Sequence, residues 1–201
     1  MSNLNKIENK HNLNHRSGLP NSLRHLLKIY PREEWSKDIL DGNWVSFWLS
    51  RHKIFRKIGD SINDSIERTL DSKLPGDEFV THYSHLMNLM LNNLHSHHTV
   101  EDNFIFPKFY NKINKFRYGL DLLENDHELI HNNIEELVIH GNHLIKNLSH
   151  NLNKDFKSQL EKYRKINKKF DLLLKNHLND EEDLIIPFII LHGEDYFGLG
   201  H

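Results

Sequence analysis

The sequence contains no cysteine among its 201 residues. Disulfides, thiolate zinc sites, cysteine nucleophiles and iron–sulfur clusters are therefore excluded, and any bound metal must use nitrogen and oxygen ligands. Long hydrophobic runs are missing too: the longest, residues 184–191, is interrupted by Pro187 and is far too short to span a membrane. The first residues lack the apolar segment of a secretory signal, so we expect a cytoplasmic protein.

A strong charge of one sign is also absent. The chain has 26 basic and 28 acidic residues, which gives a net charge of −2. This balance provides no broad basic face and no polybasic segment, so we expect neither nucleic acid nor a membrane as a partner, and a protein partner is left open. What the chain has in excess is histidine, with 17 residues, many more than an ordinary core needs.

Four stretches have apolar residues at the three- and four-residue spacing of amphipathic helices. They run from about residue 44 to the breaker segment 71–77, and then over about 78–110, 118–149 and 155–190. Helices joined by short links favour an all-α fold, here an up-down-up-down antiparallel four-helix bundle. We assign residues 41–192 to the bundle, 1–40 to a partly ordered N-terminal arm and 193–201 to a tail without a predicted role.

One motif occurs twice within the expected bundle. It reads HHTVEDNFIFP from His97 and HLNDEEDLIIP from His177, 80 residues later. In each copy a glutamate follows the histidine by four residues, so the two side chains lie one helical turn apart on the same face. A single pair of this kind could be a solvated ion pair. Two copies on apolar faces, each followed by the same apolar-proline ending, favour two halves of one metal site.

The chemistry of these residues favours a site with two metal ions. Imidazoles and carboxylates that face the inside of a bundle are the ligands of carboxylate-bridged dimetal centres. Burying Glu101 and Glu181 with several histidines would be very costly without a metal or a dense hydrogen-bond network. Imidazole suits iron, copper, zinc or nickel, and carboxylate adds a hard bridging oxygen, so the combination favours a non-haem iron pair.

The motifs HHTVEDNFIFP, DHELIH and HLNDEEDLIIP, in this order, resemble those of the haemerythrin and HHE cation-binding family over about residues 44–190. The resemblance implies an up-down four-helix bundle that holds two iron ions, bridged by carboxylates and by an oxide or hydroxide. The fourth-helix carboxylate ligand could be Glu181 or, as in the oxygen-carrying branch, Glu182. The ligands implied by the resemblance, with Glu181 in that place, are His52, His97, Glu101, His127, His131, His177 and Glu181.

Residues next to these ligands have weaker assignments. We expect His98 to be exposed or to contact a ligand rather than the metal. Asp102 and Asp126 could orient a ligand imidazole or lie on a solvated helix face. Trp48, Phe55 and Phe104 are expected to line a dry pocket beside the metals.

The ligand count implies one open coordination position. Two six-coordinate ions offer roughly twelve positions, of which five imidazoles, two bridging carboxylates and a bridging oxygen leave one. By resemblance, His127, His131 and His177 would saturate one ion, so the open position would be on the ion held by His52 and His97. One small diatomic molecule, dioxygen or nitric oxide, suits such a position.

The first functional hypothesis is a binding protein rather than an enzyme: a non-haem diiron protein that reversibly binds dioxygen for storage, delivery or sensing. The alternative is a diiron protein that reacts with nitric oxide or peroxide, or that donates iron for the repair of damaged iron centres, as another branch of the family is thought to do. That branch commonly has an N-terminal segment with cysteine, which this chain lacks. A third hypothesis is regulatory, with the state of the iron controlling a partner through the N-terminal arm.

Overall fold

The computed structural model describes residues 11–35, 43–149 and 156–200. Within these ranges the regular secondary structure is entirely helical and includes no strand. The prediction of an all-α helical bundle is thereby confirmed, while the up-down order of the helices stays a prediction. None of the described helices is long and apolar enough to cross a membrane. The α-helices are α1 (His25–Ile29), α2 (Asn43–Leu70), α3 (Gly76–Val100), α4 (Phe106–Tyr110), α5 (Arg117–Ser149) and α6 (Phe156–His192).

The chain forms two compact units, each of which contains part of every long helix. The first unit consists of Met1–Lys53, His98–Leu129 and Lys175–His201, and the second of Ile54–His97 and Ile130–Leu174. These units differ from the predicted boundaries of arm, bundle and tail, which remain predictions about domains. Both units take their cores from the apolar stripes of the helices.

The core of the first unit includes side chains from both ends of the chain. Leu19, Leu23 and Leu26 of the arm and Phe197 and Leu199 of the tail are at most 9% exposed and pack into one apolar cluster with the helices. Each such side chain stabilises the fold by about 1.5–3 kcal/mol. The tail, for which the sequence pattern indicates no role, is thus part of this core. The helical members of the cluster include Val45, Trp48, Phe106, Phe109, Leu123, Leu184, Ile186 and Phe188.

The tail also caps the start of α2. Glu194 accepts hydrogen bonds from the backbone N–H of Val45 at 2.8 Å and from that of Trp44 at 3.3 Å. The first N–H groups of a helix have no partner inside it, and a negative charge there interacts favourably with the helix dipole. Glu194 therefore helps to fix the beginning of the helix that carries His52.

The second unit packs together two tyrosines that have the same 80-residue spacing as the repeated motif. Tyr83 and Tyr163, 80 residues apart, are buried, and their hydroxyl groups share a hydrogen bond. Their rings meet edge to face with centroids 5.5 Å apart. Gly141 makes room for this pair, because a Cβ atom at position 141 would lie 2.5 Å from the Tyr83 hydroxyl oxygen.

A π-helical turn, Glu101–Ile105, joins α3 to α4. It holds more residues than an α-helical turn and so shifts the side chains that follow it around the helix. The helical spacing predicts that Phe104 faces the inside of the bundle. In the structure Phe104 is 62% exposed, whereas Ile105 is 7% exposed. The expected contribution of Phe104 to a dry pocket is therefore wrong. Pro107, two residues after the turn, cannot donate to the carbonyl four residues before it, which fits the irregular hydrogen bonding there.

Candidate metal centre

Histidine and carboxylate side chains form a buried cluster in the first unit. They come from α2, from the end of α3 and its π turn, from α5 and from α6. Each of these side chains belongs to a residue that is at most 9% exposed. The cluster contains His52, His98, Glu101, Asp126, His127, His177, Glu181 and Glu182.

Three histidines form one group of possible metal ligands. His98, His127 and His177 each offer a ring nitrogen, and these nitrogens lie within 4.8 Å of one another. The ring of His98 stacks on that of His127 with centroids 3.9 Å apart, and His177 meets both rings edge-on. Three imidazoles with this spacing can hold a single ion.

A second group combines an imidazole with carboxylates. Ligand atoms of His52, Glu101 and Glu181 lie within 4.8 Å of one another. The indole N–H of Trp48 donates to Oε1 of Glu101 at 2.6 Å, and the indole ring lies 4.2 Å from that of His52, centroid to centroid. Trp48 thus covers this group and holds one of its carboxylates in place.

Glu181 lies between the two groups. Its Oε1 atom is 3.2 Å from Nε2 of His177 and 3.3 Å from Nε2 of His127, whereas its Oε2 atom is 3.4 Å from Nε2 of His52. The two oxygens of one carboxylate therefore face different imidazole groups. This is the arrangement that a carboxylate needs to bridge two metal ions.

Three further carboxylates contact the Nδ1 atoms of three histidines. Nδ1 of His127 binds Asp102 at 2.7 Å, Nδ1 of His52 binds Glu182 at 3.0 Å, and Nδ1 of His177 lies 3.3 Å from Asp126. A carboxylate at one ring nitrogen fixes the orientation of an imidazole whose other nitrogen binds a metal. Asp102 and Asp126, for which the sequence left two readings open, therefore orient imidazoles.

Two imidazoles of the cluster, those of His127 and His177, have raised pKa values. Burial alone would lower the pKa of both rings, but hydrogen bonds to Asp102 and Glu181 raise the pKa of His127 to about 9. The charge of Glu181 and the hydrogen bond to Asp126 raise the pKa of His177 to about 10. A metal ion would have to displace these protons.

The two glutamates differ in their electrostatics. Burial, together with the nearby charge of Glu181, raises the pKa of Glu101 well above its ordinary value. Burial also acts to raise the pKa of Glu181, but the charge of His177 and hydrogen bonds from His127 and His177 hold it well below its ordinary value. Glu181 is thus the carboxylate that carries the negative charge between the imidazole groups.

The donor set fits a metal centre. Oε2 of Glu181 is buried and makes no hydrogen bond. A buried polar atom without a hydrogen bond is costly, and coordination to a cation would satisfy it. The ligand atoms are imidazole nitrogens and carboxylate oxygens, a set that suits non-haem iron and related divalent metals.

Five of the seven predicted ligands lie in this cluster, and the other two lie in the second unit. His97 is the last residue of that unit; it is 9% exposed, its ring lies 5.2 Å from that of Phe55, and it precedes Glu101 by one turn. His131 lies outside the cluster, with a side chain 63% exposed and an ion-pair contact of 3.8 Å to Glu135. The five in the cluster are His52, Glu101, His127, His177 and Glu181.

The structure distinguishes between alternatives at three neighbouring positions. On α5 the buried residue that follows His127 by one turn is Ile130, so the His131 side chain does not face the same way. His98 is buried and stacks on His127, so of the two alternatives expected for His98, contact with a predicted ligand is the one observed. Glu182 lies against Nδ1 of His52, which leaves Glu181 as the carboxylate between the imidazoles.

Sequence reasoning missed two arginines of the arm. Arg16 pairs with Asp126, and Arg32 pairs with Glu182 at 2.7 Å. No motif points to either residue, because the arm has no periodic pattern and both partners are more than a hundred residues away.

The fold and the cluster together define a helical protein with a buried cluster of nitrogen and oxygen donors that could hold a metal ion. The chain belongs to the haemerythrin family: the family model described as "Hemerythrin HHE cation binding domain" matches residues 45–189, well over half of the chain. The resemblance predicted from the motifs is thereby confirmed. No curated protein and no solved structure is significantly similar to the chain.

Proposed function

We propose that this protein holds two non-haem iron ions and binds dioxygen reversibly, for storage, delivery or sensing. The observation that carries the proposal is the position of Glu181, whose two oxygens face two different groups of imidazoles. Ions on either side of this carboxylate would share it as a bridge. Membership of a cation-binding family supports the metal-binding part of this proposal.

The ligand set that we propose keeps five imidazoles but changes one of them. His98, His127 and His177 would hold one ion, so that His98 takes the place that the family resemblance gave to His131. His52 and His97 would hold the other ion. His97 is included because it precedes Glu101 by one turn of the same helix, as His177 precedes Glu181.

This ligand set leaves one ion with fewer protein ligands than the other. A bound iron pair supplies the open coordination position and the reversible redox chemistry that a diatomic ligand requires. Trp48 is 4% exposed, packs on His52 and donates to Glu101, so it keeps water from that side of the cluster. A dry surrounding slows the delivery of protons and so favours release of the ligand unchanged. We therefore propose binding rather than catalysis. The cytoplasmic location stays a prediction.

The test is a visible spectrum of the iron-loaded protein, recorded after anaerobic reduction, after admission of oxygen and after removal of oxygen. Reversible binding predicts charge-transfer bands that form with oxygen and disappear on its removal over several cycles. If oxygen instead converts the reduced protein to an inert oxidised form in one step, the alternative applies: reaction with nitric oxide or peroxide, or donation of iron. The His177→Ala variant should lose the bands, and His131→Ala should keep them.

A further inference from the structure

A buried arginine of the N-terminal arm contacts a carboxylate of the histidine cluster. Arg16 is 8% exposed and belongs to the same compact unit as the cluster. It donates to both carboxylate oxygens of Asp126, to Asp180 at 2.8 Å and to the backbone carbonyl of His11 at 2.9 Å. Since Asp126 is the carboxylate on Nδ1 of His177, the arm reaches a proposed ligand through one intermediate residue.

A second arginine of the arm repeats this connection for the other imidazole group. Arg32 donates to Glu182 at 2.7 Å, to Asp183 at 2.5 Å and to the backbone carbonyl of Asn179 at 2.8 Å. Glu182 is the carboxylate on Nδ1 of His52. The chain of contacts Arg32–Glu182–His52 thus corresponds to the chain Arg16–Asp126–His177.

Stability alone is a weak reason for such buried pairs. The side chains of Arg16 and Asp126 are each 4% exposed, and that of Asp180 is 1% exposed. Removing these charges from water costs about as much as their attraction returns, and apolar residues of similar size often serve a core as well. A fork of guanidinium donors does, however, fix the plane and the position of a carboxylate.

We propose that Arg16 and Arg32 are positioning residues of the metal centre, each holding the carboxylate that orients one ligand histidine on opposite sides of Glu181. This inference rests on the metal-binding part of the proposed function and not on the identity of the diatomic ligand. The segment of the arm that carries Arg16 and Arg32 is then a component of the metal centre. Because coupling between two sites is reciprocal, bound metal also holds the arm in place.

The first test measures how fast iron leaves the loaded, full-length protein in the presence of a chelator. The Arg16→Met variant keeps the bulk of the side chain but removes the donors. Loss of an outer-shell partner typically weakens a metal site about 10- to 100-fold, so we expect release to accelerate by about that factor and the visible bands to shift. Arg164→Met is the matched control, since Arg164 pairs with Glu67 at 3.3 Å in the second unit and should leave release unchanged.

A double-mutant comparison separates positioning from general loosening of the fold. If Arg16 acts through Asp126, the variant with both Arg16→Met and Asp126→Asn should release iron no faster than Asp126→Asn alone. If the double variant instead releases iron at a rate that multiplies the effects of the two single substitutions, the proposal is overturned. Should Arg16→Met fail to fold, Arg32→Met combined with Glu182→Gln serves instead, because the Arg32 side chain is 37% exposed and its replacement should disturb the packing less.

The second test uses the arm itself as the reporter. Trypsin cleavage in residues 24–32 should slow when the wild-type protein is loaded with iron, and this protection should be lost in Arg16→Met. Equal cleavage of the loaded and the metal-free protein, or iron release from a folded Arg16→Met variant at the wild-type rate, would overturn the inference. A wild-type protein that takes up no iron would instead refute the proposed function, and the inference with it, so the two failures are distinguishable.

Discussion

His98 is the residue that most changes the expected ligand set. Sequence spacing places His98 one position away from the residues of α3 that face the core, and a histidine at such a position is ordinarily exposed. In the structure it is buried and stacks on His127. The HxxxE spacing marks His97 and Glu101 as one pair, but it carries no information about a second histidine beside the first. Only the packing against α5 places His98 beside His127 and supports the proposed ligand role.

The ligand assignment predicts opposite results for two histidines. Replacing His98 with alanine should remove most of the metal, because it takes one of three imidazoles from an ion. The His131→Ala variant should retain its metal, because the His131 side chain is 63% exposed and pairs with Glu135. Metal content after purification measures both. Full retention in His98→Ala together with loss in His131→Ala would restore the ligand set implied by the family resemblance.

Proton binding at the cluster predicts a pH dependence. His127 and His177, with pKa values of about 9 and about 10 against an ordinary 6.5, carry protons at neutral pH in the metal-free protein. Their contribution to stability is complete below pH 6.5 and is lost as the pH rises through 9 to 10, so the metal-free protein should become less stable there. Metal affinity should rise over the same range, by up to about tenfold per pH unit for each proton released.

Two titrations check these opposite trends. Denaturant unfolding of the metal-free protein at a series of pH values gives the free energy of unfolding, and competition with a chelator gives the affinity. A metal affinity that does not change between pH 6.5 and 9 would contradict the prediction that His127 and His177 are protonated in the metal-free protein.

At the scale of helices, the sequence predicts the four long elements closely, because their apolar residues repeat at helical spacing and breakers separate them. It does not predict the π turn at Glu101–Ile105, which is defined by hydrogen bonds and not by composition. Pro107 and Pro187 occupy equivalent motif positions, yet Pro187 lies inside α6. The exposure of Phe104 follows from that unpredicted turn.

The cap on α2 gives a prediction for the tail. Glu194→Ala should lower the free energy of unfolding by about 0.5–2 kcal/mol, the usual effect of losing a helix cap. Glu194→Gln keeps acceptor capacity but loses the charge, so its effect should be smaller. Thermal or denaturant unfolding measures both, with Asp195→Ala as the exposed neighbouring control. Equal stability of all three variants and the wild type would mean that the tail does not hold α2.

The tyrosine pair gives a prediction for α5. Gly→Ala inside a helix ordinarily stabilises it by roughly 0.5–1 kcal/mol. Gly141→Ala should instead destabilise the protein by about 1–3 kcal/mol, because the added Cβ would lie 2.5 Å from the Tyr83 hydroxyl oxygen. In a Tyr83→Phe background the same change should cost clearly less. Equal costs in both backgrounds, measured by denaturant unfolding, would show that the hydroxyl is not the obstacle.

At the scale of the whole molecule, the bundle core and most of the cluster follow from the sequence, whereas the contributions of the two chain ends do not. Arg16, Arg32, Glu194 and Phe197 lie in segments without periodicity, and each acts on residues far away along the chain. Such long-range contacts leave no local pattern. The arm that the sequence separates from the bundle is, in its described part, packed into the unit that contains the cluster.

The central claim is a centre with two metal ions, and native mass spectrometry of the iron-loaded chain tests it most directly. The account predicts a species with two irons per chain in the wild type, little or no two-iron species in Glu181→Ala, which lacks the proposed bridge, and wild-type loading in His131→Ala. A wild-type protein that binds one iron or none, or a Glu181→Ala variant that still binds two, would contradict it.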